Sequence, residues 1–345
     1  MIYSWHKELW RKLFERAGQW PHALLLAGPH GGGKQDFAHA LATRLLCEKA
    51  TGNEQACGTC PSCSWMSSGN HPDFRLIEPG GDELDDPESN AEPAMQKKKS
   101  EQIRINQVRA LNDFLGIGTH RQGARIIIIQ PAEAMNQATA NSLLKMLEEP
   151  SPSTMFILIT NNKRRLLATI LSRCQTLVFA KPAMDQALTW LRECGTPHAE
   201  DLLAHAGGMP LTARNEAGDW DRLDGFYRDL AQLEHAGPVT IAGRWESWLK
   251  EIKEEEPAID KRTLVIWMQK WVFDLVAMNL CGQAVFHTHK SQEVRAAARR
   301  ASVSALIDCY NDLLRIRAVS QHPLNPRLFL EDMLSRYARA ALSGR

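Results

Sequence analysis

The chain has 345 residues, and at roughly 150 residues per domain it is long enough for two or three domains around a substantial core. Hydrophobic residues make up 44% and charged residues 23%, with 22 glycines and 17 prolines, which excludes a collagen-like or wholly disordered chain. Lys+Arg 41 against Asp+Glu 40 leaves a net charge of +1, so a strongly basic DNA-coating protein is disfavoured, although a local basic face remains open.

The opening MIYSWHKELW lacks an uninterrupted apolar stretch, and no unbroken run approaches the about 18 apolar residues of a spanning helix, so a cytoplasmic protein without a membrane role is expected. Trp5, Leu9, Trp10, Leu13 and Phe14 form an apolar stripe at helical spacing. Ala23 to Ala27 reads as a short buried strand. It is followed by the loop Gly28 to Lys34 and by a helical pattern over Gln35 to Leu46. Phe74 to Ile77 predicts a second strand, and the polar stretch from Gly80 to Lys99, ending in Lys97 to Lys99, predicts a solvated loop. A helix carrying Ile103, Ile105, Val108, Leu111 and Leu115 comes next, then a strand Arg125 to Ile129, a helix Asn136 to Glu148 and a strand Met155 to Thr160. A short helix Leu166 to Leu171 and a last strand Gln175 to Phe179 complete the alternation, which predicts a parallel sheet covered on both faces.

Beyond Pro182 the strand signals fade. Helical patterns cover Asp185 to Glu193, Asp201 to Ala206, Trp220 to Leu233, Ile241 to Ile252, Thr263 to Met278, Gln292 to Arg315 and Phe329 to Leu342. The expected organisation is an α/β domain over 1–180, a small helical lid over 181–218 and an all-helical domain over 219–345. Trp267 and Trp271, four apart, read as core or subunit contacts rather than base-stacking platforms. The acidic run Glu254 to Glu256 reads as a solvated turn.

Four of the eight cysteines, Cys47, Cys57, Cys60 and Cys63, fall in a C-x9-C-x2-C-x2-C cluster. Four soft ligands around one tetrahedral ion leave no open coordination position, so the reading is a structural zinc knuckle; free thiols or disulfides are the alternatives.

Gly28, Gly33 and Lys34 have the G-x4-G-K spacing of a phosphate-binding loop between strand and helix. There, backbone amides and a lysine would hold phosphate oxygens. The next position requires a Ser or Thr hydroxyl for magnesium, and this chain has Gln35; the later strand requires Asp-Glu at its end, and this chain has Gln130 and Pro131. Glu133, two residues past the expected position and beyond a proline, is a poor replacement. Autonomous ATP hydrolysis is therefore not expected, and residual nucleotide binding through Lys34 stays open.

Together with this loop and the cysteine cluster, NSLLKMLEEP at Asn141 to Pro150 and Ser172-Arg173-Cys174 resemble the clamp-loader branch of the AAA+ proteins, and within it the delta-prime family of bacterial DNA polymerase III. The resemblance covers essentially the full chain. It implies an AAA+ P-loop domain with a zinc knuckle, a helical lid and a helical collar, within a hetero-oligomeric ring containing gamma or tau and delta subunits. That ring loads a sliding clamp onto primer-template DNA as part of the polymerase. The resemblance further implies that Arg173 is an arginine finger supplied in trans to a neighbour's ATP, and that Cys174 is a packing residue. It places Thr160 where active relatives carry a phosphate-sensing residue, and Pro210 where they carry a lid arginine. Two other classes remain: an active AAA+ ATPase with an unconventional magnesium site, and a DNA-binding module drawing on Lys97 to Lys99 and Lys163 to Arg165.

Overall fold

A computed structural model of the protein describes residues 2–15, 20–50, 55–80, 101–116, 123–253, 256–257 and 259–341. It divides into two compact units, Met1–Gln186 and Ala187–Arg345.

In the first unit the described strands are β1 (Ala23–Ala27), β2 (Phe74–Ile77), β3 (Arg125–Ile129), β4 (Thr154–Thr160) and β5 (Gln175–Val178), all parallel in the order β2-β3-β4-β1-β5. Every residue of β1, β3 and β4 is buried, as unbroken apolar runs at the centre of a parallel sheet require. Alternate side chains serve opposite faces. Leu25, Ile127 and Phe156 join one apolar cluster, and their neighbours Leu24, Ile126 and Ile157 join the other. Helices α1 (Lys7–Glu15) and α2 (Lys34–Leu46) cover the second face through Trp10, Phe37 and Leu41. Helices α4 (Ile105–Gly116), α5 (Gln137–Glu148) and α6 (Ala168–Leu171) cover the first face through Val108, Leu143 and Ile170. Between α2 and β2 lies α3 (Pro61–Ser67), a short helix that the cysteine spacing alone does not reveal. Because the strands are parallel, the loops after β1, β3 and β4 leave the same edge of the sheet, which is where such sheets bind ligands.

Among its described residues the second unit is helical apart from a two-residue ladder pairing Ile252–Lys253 with Glu256–Pro257. Helices α7 (Met184–Glu193), α8 (Ala199–His205) and α9 (Pro210–Glu216) contribute Ala187, Leu191, Leu202, Leu203 and Ala213 to a small apolar cluster. A much larger cluster is built from α10 (Trp220–Ala231), α11 (Leu233–Lys250), α12 (Lys261–Cys281), α13 (Ser291–Ala298), α14 (Val303–Val319) and α15 (Pro326–Ala341). Trp245, Trp267 and Trp271 are buried in it, so these tryptophans are core residues.

The single helix expected over Gln292 to Arg315 is two helices, because the Ser302 side chain accepts the Ala305 N–H and starts α14 afresh. The stretch Leu233–Lys250 is interrupted at Gly237, whose φ of 74° and ψ of 156° are not helical, and the helix expected from Ile241 lies beyond that break. Helix α12 is long and apolar enough to cross a membrane by length and composition alone, but here it is the central core helix, with Leu264, Trp267, Met268 and Leu275 buried. The expected polar loop with Lys97 to Lys99, and the Glu254–Glu255 part of the acidic run, lie outside the described residues.

Candidate functional site

The glycine loop joins β1 to α2 at the sheet edge. Gly33 has φ 91° at the N-cap of α2, a conformation that favours glycine, and a Cβ there would lie 2.7 Å from the Tyr3 ring. Gly28 is fixed by another neighbour: a Cβ would lie 2.3 Å from the Phe179 carbonyl oxygen. The aromatic segment before α1 packs against the loop. Trp5 Nε1 donates to the Gly32 carbonyl at 3.1 Å, Tyr3 Oη donates to Asp36 Oδ2 at 3.0 Å, and the Tyr3 and Trp5 rings stack 4.8 Å apart. His6 lies buried between Phe37 and Phe179, and that burial pushes its pKa down to about 4.

Lys34 is only 4% exposed. Its Nζ donates to the Pro29 carbonyl at 2.7 Å and to Asn161 Oδ1 at 2.9 Å. Desolvation lowers its pKa to about 8, opposed by the nearby Glu133 carboxylate. Gln35 is exposed. Gln130 is buried at the end of β3, with Nε2 donating to Glu78 Oε2 at 3.3 Å. The chain turns back after Pro131, so Glu133 reaches this edge and its Oε1 accepts the Asn161 N–H at 3.0 Å. The two-residue offset beyond Pro131, which reads in sequence as a poor replacement, does not keep Glu133 from this edge. The residue that meets Lys34 is Asn161, just beyond β4, rather than Thr160, whose Oγ1 accepts the Asn162 N–H at 3.1 Å. Its signal was available in sequence as the first amide side chain beyond the strand.

Arg173 follows α6, in the turn leading into β5. Its Nη1 donates to the Thr169 carbonyl at 3.0 Å, and its Nη2 lies 2.7 Å from Glu148 Oε1 at the end of α5. The neighbouring Cys174 is buried and its thiol is pushed up to about 11 by burial, which suits packing and not nucleophilic attack.

The four clustered cysteines converge from the ends of two helices and from the loop between them, which carries Cys57. Cys47 is the C-cap of α2, Cys60 is the N-cap of α3, and Cys63 lies in the first turn of α3. All four sulfurs lie within 4.8 Å of one another, with Cys47–Cys60 and Cys57–Cys63 Sγ separations of 3.9 Å. Tetrahedral thiolates at about 2.3 Å from one ion would stand ~3.8 Å apart, whereas a disulfide requires ~2.05 Å. Backbone N–H groups of Cys57, Cys60 and Cys63 point at the sulfurs of Cys47, Cys57 and Cys60, an arrangement that stabilises thiolates. The donor set therefore fits a metal ion. Nearby, buried Ser62 and His71 form a pair at 3.1 Å, but His71 Nδ1 accepts the Asp73 N–H, so Nε2 carries the proton and cannot act as a base toward Ser62.

The family model described as DNA polymerase III, delta subunit matches residues 5–183. A Pseudomonas aeruginosa protein, DNA polymerase III subunit delta', is 32% identical over 98% of this chain and 97% of its own length. This chain belongs to the DNA polymerase III delta-prime family. The Escherichia coli member is 28% identical over 97% of this chain and 94% of its own, and the Bacillus subtilis member 33% identical over 71% and 70%. A solved DNA polymerase III gamma subunit-related protein from Thermotoga maritima aligns over 97% of this chain and 99% of its own, with a TM-score of 0.44 and 16% identity. The family match covers the unit that holds the glycine loop, the cysteine cluster and Arg173.

Proposed function

We propose that this chain is the non-hydrolysing delta-prime member of a clamp-loader ring in the cytoplasm. Its partners are gamma or tau and delta subunits, with the sliding clamp and primer-template DNA as transient ones. Residues 1–180 act as the AAA+ domain, 181–218 as its lid and 219–345 as the collar segment. Arg173 is the arginine finger, offered to ATP held by a neighbouring subunit, where a planar guanidinium stabilises developing phosphate charge. Cys47, Cys57, Cys60 and Cys63 hold a structural zinc ion that supplies folding free energy to a segment with little core of its own.

One observation carries the silent half of this reading. At the sheet edge, the positions that would supply the magnesium hydroxyl and the paired carboxylates are Gln35, Gln130 and Pro131, and Gln130 is buried against Glu78. Glu133, beside Lys34 and Asn161, favours a second reading in which the loop forms an unconventional ATPase site with Gly28, Gly33, Lys34 and Gln35 around the nucleotide.

The test is ATP turnover by the chain alone and in the ring assembled with its motor partner, for wild type and Arg173→Ala. Silence alone, with stimulation in the ring that Arg173→Ala removes, supports the proposal; a finger is worth about a thousandfold or more at the site it serves. Turnover by the isolated chain that disappears with Lys34→Ala establishes the second reading.

A further inference from the structure

The carboxylate of Glu148 sits where helix electrostatics disfavour it. It is the last residue of α5, and the C-terminal end of a helix carries partial negative charge that attracts cations. Its partner there is Arg173, 25 positions along the chain, with Nη2 at 2.7 Å from Glu148 Oε1. The Arg173 guanidinium is held at a second point by the Thr169 carbonyl, which accepts from Nη1 at 3.0 Å, and Ser172 Oγ lies 3.3 Å from the same nitrogen. The two terminal nitrogens are thus anchored to two different elements, α5 and α6. A guanidinium carries five N–H donors; Nη1 spends its two on Thr169 and Ser172 and Nη2 spends one on Glu148, which leaves the second N–H of Nη2 and that of Nε, and the side chain remains 34% exposed. An ion pair this open to water adds little to stability. What it does fix is the direction of a side chain that otherwise samples many rotamers.

We infer that Glu148 is the positioning residue of the arginine finger. It holds the Arg173 guanidinium extended from the turn after α6, with the unused N–H donors presented outward to the terminal phosphates of a nucleoside triphosphate in an adjoining subunit. This lowers the ordering cost that a free arginine meets when it engages phosphate. The Glu of the LEEP segment and the Arg of the SRC segment therefore work as one unit, which explains why a carboxylate occupies the end of α5. The inference rests on the finger reading above.

The experiment uses the assembled ring with its motor partner, clamp and primed DNA, and follows ATP turnover for wild type, Glu148→Ala, Glu148→Asp, Arg173→Ala and Glu148→Ala/Arg173→Ala. Glu148→Ala is expected to lower kcat about tenfold, as loss of an orienting group does, with KM for ATP unchanged. Glu148→Asp is expected to restore part of it, and Glu148→Ala to cost nothing further in the Arg173→Ala background. Thermal melting of the isolated chain is expected to be the same for Glu148→Ala and wild type. Full stimulation by Glu148→Ala in a ring that Arg173→Ala silences overturns the positioning role and leaves the finger standing; so does an additional loss in the double variant. Full stimulation by Arg173→Ala overturns the finger itself.

Discussion

Replacing Lys34 by Met separates a fold role for this lysine from a nucleotide role. The ammonium is buried, and its pKa falls from 10.5 to about 8 because desolvation outweighs the attraction of Glu133. The folded value lies below the unfolded one, so between pH 8 and 10.5 the unfolded chain holds a proton that the folded chain has released. Stability gained from this group therefore rises with pH through that window, and the gap between 10.5 and about 8 corresponds to about 3 kcal/mol. Methionine keeps the length of the side chain and removes the charge. Urea unfolding of wild type and Lys34→Met at a series of pH values is expected to give wild type a relative gain approaching ~3 kcal/mol from pH 7.5 to 10.5, all other titrations cancelling. Parallel stability curves would refute the buried, depressed lysine. The same variant assembled with its motor partner is expected to support wild-type ATP turnover, and a collapse of turnover would assign Lys34 to a working nucleotide site.

The Gly33→Ala variant meets both a left-handed backbone and the Tyr3 ring, so chemical denaturation is expected to register a loss of about 1–3 kcal/mol. His6, with its pKa lowered to about 4 by burial, is neutral in the fold and charged in the unfolded chain as pH drops from 6.5 toward 4. Stability is lost over that interval, and His6→Phe is expected to remove about 3 kcal/mol of the acid slope in pH-dependent melting. A chelator is expected to release one zinc ion per chain, measured with a colorimetric indicator, and to lower the melting temperature; Cys60→Ser is expected to bind none. Asp229→Ala orphans the N–H of fully buried Trp245, now donated to Asp229 Oδ2 at 2.8 Å, and strips Arg244 of its partner. A loss of about 2–4 kcal/mol by urea titration is expected.

Most of the first unit was legible in the sequence because local and global signals agree there. The apolar runs Ala23–Ala27 and Arg125–Ile129 are bounded by loop residues and are buried on both faces, so composition and burial give the same answer. The helical unit was legible in type but less so in its joints. The break before α14 depends on one Ser302 side chain, and the kink of α11 on one positive φ at Gly237, and neither changes the apolar period around it. The site was half legible. Spacing brought the four cysteines together, since ligand geometry is encoded locally. The contacts of Lys34 with Asn161, and of Arg173 with Glu148, are pairings across the sheet edge and between helix ends, separated by 127 and 25 positions, and no pattern within either segment announces them.

The presence of a G-x4-G-K loop beside Gln35, Gln130 and Pro131 is explained by what its residues touch. Gly28 leaves room for the Phe179 carbonyl, which accepts no side chain at that distance, and so allows β5 to close against β1. Gly33 turns the chain into α2 and seats the Tyr3 ring, and Lys34 ties the Pro29 carbonyl to Asn161 after β4. Each of these three residues is held by the packing of the sheet edge whether or not a phosphate binds. Gln35 has no such tie, being exposed on the first turn of α2, so nothing in the fold keeps a hydroxyl there. The proposed non-hydrolysing role is therefore compatible with an intact scaffold: the packing that carries α5, α6 and hence Arg173 does not depend on which side chain stands at position 35.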